Sequence, residues 1–236
     1  MLELLTGFGG KRPFNAVPIL GYNYDQARST SSPDATVIAG GTVEDIGPGA
    51  DISGYTKSGR FLNTLGNITQ VPALTTVGLQ DFTFEGWFWH SAIVQNYQTV
   101  FLLRWAVADI YIGFGDQGFG YRLQASMTGR ASVTNNYATA RTRLNMTGAW
   151  HHMAMVRKNG KVRFYLDGIQ QMLAAGTSTN YNIAEYDGNY NLTGNLQLLQ
   201  IGGSTATPTD MYCPEFALFL GAKYWADFTP ASPIVK

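Results

Sequence analysis

The stretch from Trp150 to Gly168, WHHMAMVRKNGKVRFYLDG, constrains the fold of this chain more than any other. Two alternating runs flank Asn159-Gly160. Asn-Gly tolerates the positive φ that a two-residue hairpin turn requires, so the segment reads as a β-hairpin. Trp150, His152, Ala154 and Val156 fall on one face of the first run, and Val162, Phe164 and Leu166 on one face of the second. The opposite faces carry His151, Met153, Arg157, Lys161, Arg163 and Tyr165. This pattern predicts one face against a core and one toward water or a partner.

Other segments carry comparable strand signals. Asp81–His90, Gln98–Trp105, Ala108–Phe114, Tyr121–Met127, Ala131–Thr134, Tyr137–Arg143, Leu196–Gly202 and Phe216–Leu220 are short and separated by turn residues. The expected fold class is all-β: a two-sheet antiparallel β-sandwich with jelly-roll connections. Residues 1–48 read differently, because Pro13, Pro18, Pro33, Gly9-Gly10 and Gly40-Gly41 break any periodicity. They are expected to form an extended N-terminal arm or cap, with the sandwich spanning 49–236. Phe8, Phe14, Ile19, Leu20, Tyr22 and Tyr24 are the arm side chains expected to bury against neighbouring subunits. Residues 172–194 read as a long polar loop.

Only 14% of residues are charged, and 16 basic residues balance 16 acidic ones. No basic block is present, which argues against nucleic-acid binding. No apolar run approaches the ~20 residues of a membrane helix. The opening Met1-Leu-Glu-Leu-Leu lacks the basic start of a signal peptide, so synthesis and folding in a reducing cytoplasm are expected. The single cysteine, Cys213, lacks basic neighbours and reads as a small buried hydrophobe.

Catalytic patterns fail on their chemistry. Glycoside hydrolysis needs a pair of carboxylates flanking the scissile bond, and a Glu-x-Asp-x-x-Glu string on a strand would supply them. The nearest string here, Glu185-Tyr-Asp187-Gly-Asn-Tyr190, ends in tyrosine. Gly113-Phe-Gly-Asp-Gln-Gly118 spells a dinucleotide fingerprint, but strand alternation follows it where a helix is required. Adjacent His151 and His152 point to opposite strand faces and do not chelate one ion. No catalytic residue is expected. The best binding candidate is the loop carrying Tyr181, Tyr186, Asp187, Asn189 and Tyr190. Tyrosine faces stack on sugars or pack in protein interfaces, and Asn and Asp supply hydrogen bonds.

Four segments together resemble a known family pattern: Phe82–Trp87 (FTFEGW), Trp150–Ala154 (WHHMA), Phe164–Gly168 (FYLDG) and Ile201–Gly203 (IGG). The pattern is that of laminin-G-like domains of the concanavalin A-like lectins and glucanases, over about residues 59–230. The closing Tyr224–Pro230 (YWADFTP) resembles a variant found in bacteriophage virion proteins. One departure is Cys213-Pro-Glu215-Phe216-Ala217, where the family carries Asp-Glu and then an arginine strand. The resemblance implies a non-enzymatic structural protein of a tailed-phage virion, either a capsid decoration or cement protein or a tail appendage. Its expected location is the virion, and its expected partners are a major capsid or tail protein and further copies of itself. The alternative it implies is a lectin-like adhesion module for a host-surface glycan. Such domains often bind calcium, for which Asp109, Asp116, Asp187 and Asp210 offer oxygen ligands; no other cofactor is expected.

Overall fold

The computed structural model describes residues 18–23, 28–31, 42–45, 52, 54–62, 66–68, 77–90, 98–105, 108–116, 121–129, 137–143, 148–175, 180, 182–188, 191–194, 196–201, 210–232 and 234. The strands among them are, in order, β1 (Leu20–Asn23), β2 (Arg28–Ser31), β3 (Thr42–Asp45), β4 (Lys57–Leu62), β5 (Gly66–Ile68), β6 (Phe82–His90), β7 (Gln98–Trp105), β8 (Ala108–Asp116) and β9 (Tyr121–Gly129). Then follow β10 (Tyr137–Arg143), β11 (Trp150–Lys158), β12 (Lys161–Leu166), β13 (Ile169–Gln170), β14 (Leu173–Ala175), β15 (Tyr186–Asp187), β16 (Leu196–Ile201), β17 (Asp210–Cys213) and β18 (Glu215–Leu220). No helix occurs among the described residues.

The strands form two antiparallel sheets, so the all-β sandwich is the observed fold. The first runs β13-β12-β11-β6-β17-β4-β3, with β18, β1, β2 and β15 also attached; the second runs β14-β10-β9-β8-β7-β16-β5. Pro214 explains a division in the first sheet. It has no N–H to donate, and the chain breaks there into β17 and β18. β6 pairs with β17 at its C-terminal end (Trp89↔Tyr212) and with β18 along the rest (Phe84↔Leu218). Beyond them, β4 pairs with β17 and β1 with β18. Three short strands from the first 48 residues thus belong to this sheet.

The core lies between the sheets. Phe82, Phe84 and Phe88 of β6 meet Phe101, Leu103 and Trp105 of β7 and Ile110 and Ile112 of β8. The Phe84 and Phe101 rings are 3.7 Å apart. Each such fully buried side chain contributes on the order of 2–3 kcal/mol.

The hairpin around Asn159-Gly160 is present, with φ of 51° and 71° at the two turn residues. Its faces differ from the sequence expectation. The two-residue turn sets Lys158 opposite Lys161, which places Phe164 opposite Met155 and Leu166 opposite Met153. Val162, Phe164 and Leu166 therefore share the core face with Met153 and Met155, not with His152, Ala154 and Val156. The reason is that neither face is open. Ala154, Val156 and Tyr165 form a second apolar cluster under Ala222, Tyr224, Trp225 and Phe228 of the C-terminal segment. The polar stretch after Met172 also departs from expectation, since it contains β14 and β15. The expected strand Ala131–Thr134 lies outside the described residues.

Candidate functional site

Three of the four motifs that carried the family resemblance, Phe82–Trp87, Trp150–Ala154 and Phe164–Gly168, converge on one place, the outer face of the first sheet beneath residues 221–232; Ile201 lies in β16 of the second sheet. Alternation along β6 sends its phenylalanines inward and Thr83, Glu85 and Trp87 outward. Glu85 is fully buried there. Its carboxylate accepts hydrogen bonds from His152 Nε2 at 3.1 Å, Lys223 Nζ at 2.5 Å and the Tyr224 hydroxyl at 2.9 Å. Burial pushes the Glu85 carboxyl up, but the His152 hydrogen bond and the Lys223 charge outweigh it and hold the group below the ordinary carboxylate range. The Tyr224 phenol moves up, through burial and the charge of Glu85.

Further clips fasten the same segment, hereafter the strap. Thr83 Oγ1 donates to Gly221 O at 3.0 Å and accepts from Lys223 N at 2.8 Å. Trp87 Nε1 donates to Ala231 O at 2.9 Å. Phe228 stacks on Tyr224 with ring centroids 3.5 Å apart, and meets His152 and Tyr165 edge-on. Past the strap, Ile234 N donates to Glu215 at 2.8 Å, and the Tyr55 hydroxyl donates to the same carboxylate. Thr83→Val removes both strap contacts of a fully buried hydroxyl while keeping its shape. The expected cost is about 1–2 kcal/mol, read by chemical denaturation.

At the turn end of β11 and β12 the strap meets the predicted binding loop. β15 pairs with β12, Tyr186 opposite Val162 and Asp187 opposite Lys161. Gly188 N donates to Gly160 O at 2.8 Å. Arg163 ties the two together: its guanidinium bonds Glu185 Oε1 at 2.5 Å, donates to the Trp225 carbonyl, and lies 4.2 Å from the Trp225 ring. Gln170 does the same through Ala184 O and Asp227 Oδ1. Of the expected loop residues, Tyr186 and Asp187 are therefore at this rim, while Tyr181, Asn189 and Tyr190 lie outside the described residues. Trp225, Lys158 and Arg163 were not singled out in the sequence. The signal was available in the dense cations of Arg157-Lys-Asn-Gly-Lys-Val-Arg163 and the aromatic pair Tyr224-Trp225.

The remaining expectations fall as follows. Leu20 is buried in this chain's own core and Ile19 packs against it. Tyr22 sits in β1 opposite Phe216 and Ser29; Phe8, Phe14 and Tyr24 lie outside the described residues. Cys213 is buried, and burial pushes its thiol well up, away from the reactive thiolate. His151 Nδ1 contacts Asp167 Oδ2 at 2.7 Å while His152 reaches Glu85, so the two histidines act separately. Asp109 and Asp116 lie in β8, Asp187 in β15 and Asp210 in β17. Among the described residues no three His, Cys, Asp or Glu form a metal-binding group.

The laminin-G profile described as the concanavalin A-like lectin/glucanases superfamily matches residues 64–211. The chain belongs to this superfamily. No curated protein sequence matches it at a significant level. Among solved structures it is similar to domain 4 of AbnA, a GH43 extracellular arabinanase from Geobacillus stearothermophilus, in complex with arabinotriose. That match has 17% identity and a TM-score of 0.56, covering 87% of this chain and 93% of that one. It is also similar to the binding domain of botulinum neurotoxin serotype D, with 11% identity, a TM-score of 0.60, and coverage of 89% and 49%. The binding domain of botulinum neurotoxin DC in complex with SialylT gives 12%, 0.58, 88% and 49%. The chain thus spans about half the length of the toxin chains. At these identities the likeness concerns this concanavalin A-like fold alone.

Proposed function

We propose that the chain is a non-enzymatic, lectin-like module that recognises a glycan. The observation that carries this reading is the rim at the hairpin end. There the part-exposed Trp225 lies beside a loop held to the sheet edge by Arg163 and Gln170. An aromatic ring bordered by hydrogen-bonding groups is what a sugar ring requires. The two structural neighbours bound to arabinotriose and SialylT support it by analogy of fold. A binding rather than hydrolytic role is supported by the fate of the acids: Glu85 and Glu215 hold this chain's own C-terminal segment, and Glu185 is paired with Arg163. On a glycan array the full chain should bind a restricted set of saccharides without cleaving them. Tyr186→Ala should weaken that binding. An array without hits, or release of reducing ends from a bound saccharide, contradicts the reading.

A second reading, packing within a tailed-phage virion, is favoured by the closing Tyr224–Pro230 segment and by the sparse charge. The two are compatible in place and differ in mechanism. Particle binding that survives competition by every array-positive saccharide, and is lost when residues 1–17 are removed, supports packing. That deletion leaves β1 intact.

A further inference from the structure

The Glu85 cluster holds more than fastening a strap requires. The Glu85 side chain is fully buried, and that of Lys223 beside it is only 17% exposed. Lys223 Nζ donates to Glu85 Oε1 at 2.5 Å. The other oxygen, Oε2, has two donors of its own, His152 Nε2 at 3.1 Å and the Tyr224 hydroxyl at 2.9 Å. Aromatic rings line the ammonium: Nζ lies 4.8 Å from the Phe219 centroid and 5.2 Å from that of Tyr224. Thr83 Oγ1 holds the Lys223 backbone N at 2.8 Å, so the lysine stem starts from a fixed point. One carboxylate oxygen thus faces an amine. The other faces two hydrogen-bond donors, the arrangement that stabilises charge developing on a carbonyl oxygen.

We infer that Glu85 and Lys223 are the site of an intramolecular isopeptide bond that seals the strap to β6. A proton passes from Nζ to Oε1 along their hydrogen bond, leaving a neutral amine and a carboxylic acid. The amine nitrogen attacks Cδ, and the carbonyl electron pair moves onto Oε2, where His152 and Tyr224 receive it. A second proton passes from nitrogen to Oε1. Oε1 leaves as water, the carbonyl re-forms at Oε2, and an Nζ–Cδ amide remains. No oxidant, cofactor or activated acyl group enters, and net charge is unchanged. The resting pair is ionised, so the reaction is slow and passes through a minor neutral form, which burial favours. Condensing a free acid with a free amine in water is unfavourable, but fixing the two in contact gives an effective concentration of about 10⁵–10⁸ M. The chain has one cysteine and hence no intrachain disulfide; this amide would join residues 138 positions apart. Sealing removes the Glu85 charge, so the stability effects of that carboxylate belong to the unsealed chain, the form that folds first.

The test is intact mass spectrometry of the full chain, sampled from folding through several days at neutral pH. A growing fraction should weigh one water less than the sequence. Its protease digest should contain a branched peptide joining Glu85 to Lys223. Tyr224→Phe leaves a single donor on Oε2 and should slow the gain of that fraction about a hundredfold. Lys223→Arg keeps the positive charge without an amine nucleophile and should retain its full mass. The wild-type measurement needs neither variant to fold. Wild type that keeps its full mass throughout overturns the inference. So does a deficit that maps to Asp167-Gly168 or Asp187-Gly188, where an aspartyl succinimide also loses one water. Sealing of Tyr224→Phe at the wild-type rate overturns the role given to Oε2.

Discussion

Replacing Glu85 by glutamine is expected to unfasten the strap and to cost about 3 kcal/mol of stability. The change keeps side-chain volume, so it creates no cavity. It removes the charge on which three donors converge. In the wild type the fully buried carboxylate receives His152, Lys223 and Tyr224. A glutamine amide offers one uncharged oxygen for three donors, and an NH2 group in place of Oε1 faces the Lys223 ammonium, which cannot accept from it. Lys223 then swings to solvent, carrying with it the backbone that Thr83 holds. Hydrogen exchange should report the loss locally, with the Lys223 and Phe228 amides exchanging faster while β7 and β8 keep their protection. If chemical denaturation places Glu85→Gln within about 0.5 kcal/mol of wild type, the cluster is not what fastens the strap.

The same cluster sets a pH dependence with a definite sign. The folded Glu85 carboxyl lies below its ordinary value of 4.5. A group depressed in the folded state binds fewer protons there than in the unfolded chain, so its contribution rises with pH. The stabilisation is complete above the ordinary value and is lost as pH falls through the depressed one. Glu85→Gln should abolish that part of the acid slope and leave stability above pH 4.5 uniformly lower. An unchanged slope below that pH would assign the acid transition to other carboxylates.

Legibility in the sequence followed the range of the interactions. β7 runs from Gln98 to Trp105 as its composition indicates, and the Asn159-Gly160 turn is local chemistry. Which hairpin face meets the core was not legible, because a covering segment supplied some seventy residues later makes His152, Ala154 and Val156 a buried face too. Glu85 illustrates the same limit. Its place in the motif Phe-Thr-Phe-Glu-Gly-Trp marks it for the family, but its role depends on Lys223, 138 residues away. β14 and β15 lack alternation and exist through their partners, β10 for one and β12 for the other.

Gly168→Ala is expected to destabilise the protein by about 4 kcal/mol, several times the cost of Gly148→Ala. Both glycines have positive φ, +80° at Gly168 and +76° at Gly148. Each substitution therefore carries the strain of an L-residue in the left-handed region, about 1 kcal/mol. Their surroundings differ. A Cβ on Gly148 meets nothing within 4 Å, whereas one on Gly168 falls 1.8 Å from the Phe228 carbonyl oxygen. That oxygen belongs to backbone, so no rotamer change relieves the clash, and the strap must move. Moving it breaks the Phe228 N to Gly168 O bond at 3.0 Å and pulls Phe228 from between Tyr224, His152 and Tyr165. The Asp167-Gly168 pair is thus a turn whose glycine is required by what lies over it as well as by its own φ. Thermal or chemical denaturation of the two variants separates these causes. Exchange at the Phe228 amide should accelerate in Gly168→Ala alone, and equal costs for the two substitutions would mean that the strap does not rest on this turn.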